Sequence, residues 1–510
     1  MPWQRLCFQA CCIDQIKLVR VMKNNLIPIS CALACSFLWG TTFVAQDTGM
    51  DFIGPYTFCA VRLFLGFLGL LFEIQSPGWG IPGSIGILSL LLFFGSTIDT
   101  GLATGPELII IGIGILLTVI LVGSGWYFSG LIYEIGFNIN NQDNLDAGTA
   151  EDNIVVEQIN ENTVLLDVKD ELWGPLLENG IYGVLGQNGF MVVSDIIEEK
   201  DGIVERKIDY QEGNLVVGER VSYSLSLVEN SEGNYIPVGA SGWSGQATEG
   251  IYTPMSVSKL DYEEVTYTST FSEYPAFLTN TGEDGWVIFI HGFRGNYQRE
   301  VFALLRAQEI VEIGWKSMII AYRNDAGMKQ DPSGMYQYGA TEWEDVDGAI
   351  KYARQNGAKS IVLWGVSGGG GPVASWLQNS SDKSLVDGVI LEAPTFNFIE
   401  SVEVNGQARF PWLPESLFDY YTWLAEVRFG IDFDSMDYRE AVIESTVPML
   451  LFHGDDDEWI PVSLSDFIAS KRDKNLTYMR YENVGHVQAW NADPELYIRT
   501  VSNFLTSLEK

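Results

Sequence analysis

The stretch Ser360-Ile361-Val362-Leu363-Trp364-Gly365-Val366-Ser367-Gly368-Gly369-Gly370-Gly371 sets the fold for the second half of this 510-residue chain. Ile361–Trp364 is an apolar run without polar alternation, which suits a strand buried on both faces. Gly365-Val366-Ser367-Gly368-Gly369 follows at once, and a helical pattern runs from about Gly370 to Gln378. A serine at a strand-to-helix turn sits on strained backbone, and flanking glycines keep side chains out of the turn. Ser367 is therefore a candidate nucleophile. The glycine run is no phosphate cradle, because no lysine follows it.

Outward from this point the alternation repeats. Trp286–Gly292, Ser317–Arg323, Gly388–Pro394, Pro448–Gly454 and Leu476–Asn483 read as strands. Helices are expected near Arg299–Ile313, Glu342–Gln355 and Pro494–Leu508. This order predicts an α/β fold with a mostly parallel sheet and helices on both faces. The polar chemistry falls at strand ends. Asp455, Asp456 and Asp457 follow one strand and His486 follows another, and the chain has only two other histidines, His291 and His453. In such a set the histidine takes the serine proton and later delivers it to the leaving group, while a carboxylate fixes the imidazole tautomer.

These residues carry a resemblance. Residues 260–510 resemble the α/β-hydrolase superfamily, whose order of serine, acid and histidine is that of Ser367, Asp457 and His486. The family pattern H-G-x-x-D-x-x-[VI]-P, met here from His453 to Pro461, selects Asp457 over Asp455 and Asp456. The strings HGFRGN, YRND, TEWEDV and GHVQAWN are similar to a bacterial branch of serine-esterase and prolyl-oligopeptidase-like domains. In that branch a membrane anchor and a small β-domain commonly precede the hydrolase. The resemblance implies an oxyanion hole from the backbone N–H groups of Gly368 and Phe293, and a structural role for His291; His453, likewise at the end of its strand, is read as structural too. The run Gly368–Gly371 departs from the family, which more often has a bulkier residue second after the serine. The catalytic domain is expected at 251–510, with an aromatic insertion at 395–446 that caps the site or forms its own core. Phe396, Phe398, Phe410, Trp412, Phe418, Tyr420, Tyr421, Trp423 and Phe429 lie there.

The first 135 residues differ in kind. Four apolar stretches, Leu26–Ala45, Phe52–Phe72, Trp79–Ile98 and Leu108–Phe128, each approach the ~20 residues that span a bilayer. The motifs LWGTTFVAQ and PYTFCAVR within residues 26–74 resemble the opening of a drug/metabolite (EamA-type) permease. Arg5, Lys17, Arg20 and Lys23 place the N-terminus in the cytoplasm. The acidic flank after the last stretch leaves the side of the catalytic domain open. Residues 136–152 read as a linker, and residues 153–250 as a small β-rich domain, with VSYSLSL (Val221–Leu227) alternating as a half-buried strand does.

Composition removes other classes. Thirty basic against sixty-six acidic residues give a net charge of −36, which disfavours nucleic acid. All six cysteines lie between Cys7 and Cys59, so no disulfide scaffold supports the rest. No dinucleotide fingerprint and no zinc-spaced Cys/His set occurs, and the spacing in Asn138–Asp152 lacks the glycine and terminal glutamate of a calcium loop, so no cofactor and no metal is expected. The sequence thus points to a membrane-anchored serine hydrolase in a bacterial cell membrane. It would cleave small-molecule or lipid carboxylic esters in the manner of a carboxylesterase or lipase. The alternatives are a serine peptidase of prolyl-oligopeptidase-like type, and a membrane transport or adaptor protein with an inert hydrolase fold.

Overall fold

The computed structural model describes residues 105–139, 154–169, 175–229, 232–237 and 260–508, apart from positions 283, 294, 296, 298–300 and 473. The apolar stretches at 26–45, 52–72 and 79–98 and linker residues 140–152 lie outside the described residues. The chain divides into two units, residues 1–129 with 424–430 and residues 130–423 with 431–510.

Helix α1, Gly105–Gly136, holds the charge-free run expected as the fourth apolar stretch. Its 32 residues rise by about 48 Å. Among the residues whose side chains are described, which begin at 120 in this helix, no helix is long and apolar enough to cross a membrane. In the first unit Arg428 donates to the Trp126 carbonyl and the Ser129 hydroxyl, with its guanidinium 3.5 Å from the Trp126 ring centre.

The second unit begins with a closed antiparallel barrel. Its strands are β1 Ile154–Ile159, β2 Thr163–Asp167, β3 Tyr182–Leu185, β4 Gly189–Lys200, β5 Ile203–Gly213 and β6 Arg220–Ser224, in the order β1-β2-β5-β4-β3-β6. Alternation sends Ile154, Val156, Val164, Leu166, Val184, Met191, Val193, Val204 and Val221 inward, all essentially without exposure. Asp201 and Gly202, both at positive φ, make the two-residue turn between β4 and β5. The expected strand Val221–Leu227 is cut. Ser226 N–H donates to the Ser224 hydroxyl, and β7 (Leu227–Glu229) restarts against β8 (Tyr235–Pro237).

The remaining strands form one eight-stranded sheet. They are β9 Tyr262–Thr268, β10 Glu273–Thr279, β11 Gly285–Ile290, β12 Lys316–Ile320, β13 Ser360–Val366, β14 Gly388–Glu392, β15 Met449–Gly454 and β16 Leu476–Tyr481. The order β16-β15-β14-β13-β11-β12-β10-β9 runs parallel from β16 to β12, and the last two pairings are antiparallel. The helices are α2 Val301–Glu312, α3 Trp343–Gln355, α4 Gly370–Asn379, α5 Phe398–Arg409, α6 Glu415–Phe429, α7 Arg439–Glu444, α8 Val462–Lys471, α9 Ala489–Ala492 and α10 Pro494–Ser507. This is the α/β-hydrolase fold, and one large core runs through it from Tyr267 to Leu505. Strands β9 and β10 escape the sequence reading, because the adjacent exposed Glu263 and Glu264 break the alternation of β9 at the sheet edge and Pro275 interrupts β10. Phe396, in the insertion, belongs to the main core, whereas Phe418 and Tyr421 pack on each other along α6.

Candidate active site

Strand β13 delivers Ser367 into a turn with φ 52°, the left-handed region that L-residues avoid. The glycines after it each meet a different neighbour. A Cβ on Gly368 would lie 2.7 Å from Phe293 N, one on Gly369 would strike the carbonyls of Ile290 and His291, and one on Gly370 would strike Pro394. At Gly371 it would strike the Tyr338 carbonyl. The four-glycine departure from the family thus lets three separate chain segments close on the turn, and the elbow stays intact.

Ser367, Asp457 and His486 come together from three strand ends. His486 Nε2 accepts from the Ser367 hydroxyl at 2.9 Å, and His486 Nδ1 donates to Asp457 Oδ2 at 2.7 Å. The carboxylate can only accept, so the proton belongs on Nδ1 and leaves Nε2 free to take one. Asp457 Oδ1 accepts from Trp459 N and Ile460 N at 2.9 and 2.8 Å. His453 Nε2 adds a 3.2 Å contact to Oδ2, while its Nδ1 lies 2.6 Å from the Ser465 hydroxyl. Burial pushes the Asp457 carboxyl up, but the imidazoles of His486 and His453 outweigh that and hold it well below the carboxylate range. Burial lowers the His486 pKa, but Asp457, with Glu458 and Glu392 adding to it, raises it by more, and the net shift is upward. Asp455 is taken by Arg480 and Asn483 N, and Asp456 donates its N–H to the Val484 carbonyl. Neither makes a bond to His486.

Phe293 and Gly368 stand beside the nucleophile. A Cβ on Gly292 would be 3.6 Å from Ser367 Oγ, and Gly368 and Phe293 are in van der Waals reach of each other. The loop between them is fixed by His291, whose Nε2 lies 2.9 Å from Asp325 Oδ2 and whose ring stacks on Tyr322 at 4.4 Å. The Tyr322 hydroxyl donates to the His291 carbonyl at 2.8 Å.

Two buried glutamates bond the chain before and after His486. Glu392, at the end of β14, accepts from Ala489 N and from the Tyr497 hydroxyl. Glu178, from the barrel, accepts from Gly485 N at 2.9 Å. Further barrel bonds join it: Asn179 N donates to the Asn483 carbonyl, and the Tyr182 hydroxyl to Gln488 Oε1. Arg206, fully buried in the barrel, ties this segment down by donating to the carbonyls of Leu176, Glu178 and Gly180. Burial, helped by Glu458, raises the Glu178 pKa to about 8. Sequence reasoning missed Glu178, since 307 positions separate it from Gly485 and no local pattern links them. Among the described residues no group of acidic, histidine or cysteine side chains could hold a metal ion.

Residues 57–131 match the family described as the NfeD integral membrane domain. Membrane protein NfeD1b of Bacillus subtilis (strain 168) is 41% identical over 57 residues, which is 11% of this chain and 13% of that protein. The N-terminal region is thus similar to a membrane-associated domain. This corrects the permease reading of residues 26–74, since the match takes in Thr57–Arg62 of the PYTFCAVR segment. A short likeness between apolar segments misleads because the bilayer imposes the same composition on unrelated spans. Among solved structures, an esterase of Pyrococcus furiosus has 18% identity and a TM-score of 0.40 over 52% of this chain and 97% of its own. The esterase EaEST of Exiguobacterium antarcticum has 18% identity and a TM-score of 0.34 over 48% and 100%. Est1E of Butyrivibrio proteoclasticus has 17% identity and a TM-score of 0.35 over 48% and 98%.

Proposed function

We propose that this chain is a membrane-anchored serine hydrolase that cleaves carboxylic esters through an acyl-enzyme. The observation that carries the reading is the continuous line of bonds from Ser367 Oγ through His486 to Asp457. In this reading Ser367 Oγ attacks the ester carbonyl as its proton passes to His486 Nε2. The N–H groups of Gly368 and Phe293 bind the oxyanion. Collapse expels the alcohol, which takes the proton from His486. Water, deprotonated by the same imidazole, then attacks the acyl-enzyme and releases the acid and free Ser367. Asp457 stays ionised throughout, in keeping with its lowered pKa. An ester is favoured over an oligopeptide because the preceding domain is a six-stranded barrel and not a gating propeller.

The test is labelling of the detergent-solubilised full chain by a fluorophosphonate, with hydrolysis of p-nitrophenyl acetate compared with aminoacyl p-nitroanilides. Stoichiometric labelling at Ser367 with ester turnover is expected. Amide turnover exceeding ester turnover selects the peptidase, and no labelling of the folded chain rejects the hydrolase.

A further inference from the structure

Helix α6 carries two kinds of surface along one face. Glu415, Asp419, Trp423 and Val427 follow at four-residue intervals, so they share that face, and all four are exposed. The inner face is packed, with Phe418, Tyr421, Leu424 and Ala425 buried. The outer face thus changes from two carboxylates in the first half of the helix to an indole and a valine in the second. Tyr420 stacks on Trp423 with centroids 6.1 Å apart and widens the apolar part. Water along the whole face would favour polar groups at all four positions.

The change of surface coincides with a change of neighbours. From Leu424 the helix belongs to the unit that contains α1 up to Ser129. Arg428, the residue after Val427, bonds the Trp126 carbonyl and the Ser129 hydroxyl and lays its guanidinium against the Trp126 ring. Trp126 is itself exposed, as are Ile120, Leu121 and Tyr127. Between Glu107 and Glu134 helix α1 has no charged residue. A bilayer crossing of ~20 residues that starts at Leu108 ends at about Tyr127. Trp126 and Tyr127 therefore stand where the apolar run meets water, the level at which indole and phenol rings gather in membrane proteins. The match to an integral membrane domain closes just beyond them, at residue 131.

We propose that the second half of α6 is seated in the lipid bilayer at headgroup level beside Trp126. Trp423 and Val427 face lipid there, while Glu415 and Asp419 stay in water. A second copy of the chain would have to bring an apolar patch of its own, whereas lipid is already present around α1 at that level. The carboxylates at the near end and the net charge of −36 favour a zwitterionic surface over an anionic one. The proposal rests on the membrane-anchored part of the function above and is independent of the ester chemistry. It makes the last helix of the aromatic insertion a foot on the membrane.

The test reconstitutes the full chain in phosphatidylcholine vesicles and follows tryptophan emission. The difference between wild type and Trp423→Phe isolates the Trp423 component, and Trp126→Phe isolates that of Trp126. Both substitutions keep an aromatic ring. Phosphatidylcholine brominated high on its acyl chains should quench each component about twofold, and aqueous iodide should leave both unchanged. Quenching of Trp423 by iodide and not by bromine would place this face in water and overturn the proposal. Protection of Trp423 from both quenchers would show a protein cover, such as a second copy, and overturn it as well. A chain that does not float with the vesicles removes the membrane anchor, and the seat with it.

Discussion

The barrel and the eight-stranded sheet bury their strands by opposite local patterns. In β13 every residue from Ser360 to Val366 is buried, because helices cover both faces of the sheet. In β2 burial alternates residue by residue, because one face lines the barrel and the other does not. The sheet carries the three residues of the proposed triad at its strand ends, and the barrel carries none of the three. Yet Glu178, Asn179 and Tyr182 of the barrel bond the loop on which His486 sits. A domain outside the proposed triad thus supplies part of the framework of the candidate site.

The sharpest test of that division is in the sheet. Ser367→Ala should abolish fluorophosphonate labelling and lower ester turnover by ~10⁴-fold or more, with circular dichroism unchanged. Asp457→Asn should follow with a loss of about 10³–10⁴ in kcat, whereas Asp455→Asn and Asp456→Asn should stay near wild type. The pH profile adds a sign. Asp457 raises the His486 pKa, so kcat/KM should rise with pH through a value above the ordinary histidine range of about 6.5. In Asp457→Asn that limb should move to lower pH. A crippled Asp455 variant beside a healthy Asp457 variant would mean that the carboxylate is misassigned.

A smaller effect probes the barrel. Glu178→Ala strands the Gly485 N–H and loosens the loop, so kcat should drop about tenfold with KM little changed. Glu178→Gln keeps an acceptor and should restore most of it. If Glu178→Ala loses thermal stability but turns over ester at the wild-type rate, the barrel is only a spacer. The smallest effect is on stability at high pH. A carboxyl whose folded pKa is raised to about 8 favours the fold when protonated, and this contribution is lost as pH climbs from its unfolded value to 8. Glu178→Gln should therefore gain Tm over wild type above pH 8, with little difference at pH 5.

The same contrast explains what could be read from the sequence. Ser367 and Asp457 each follow an apolar run that a doubly covered strand produces, so their positions were legible. The strand β16, although parallel, is an edge strand, and its partly exposed residues still read as a strand because β-branched and aromatic residues fill it. Strand β9 lacked such a run, and in β10 Pro275 argues against a strand. Glu178, Gly370 and Gly371 owe their roles to contacts made across long stretches of chain, which no local pattern records.

The glycine run has a consequence at the level of the gene. Every missense change at the first or second position of a glycine codon inserts a residue with a Cβ. Across Gly368–Gly371 each such Cβ meets neighbouring atoms at less than ordinary contact distance. Two of every three nucleotides in that stretch are therefore closed to missense change, and for Gly370 and Gly371 the reason is not the reaction but the nearness of Pro394 and Tyr338. A saturation library over these codons should return glycine almost everywhere, even when survivors are selected for folding alone.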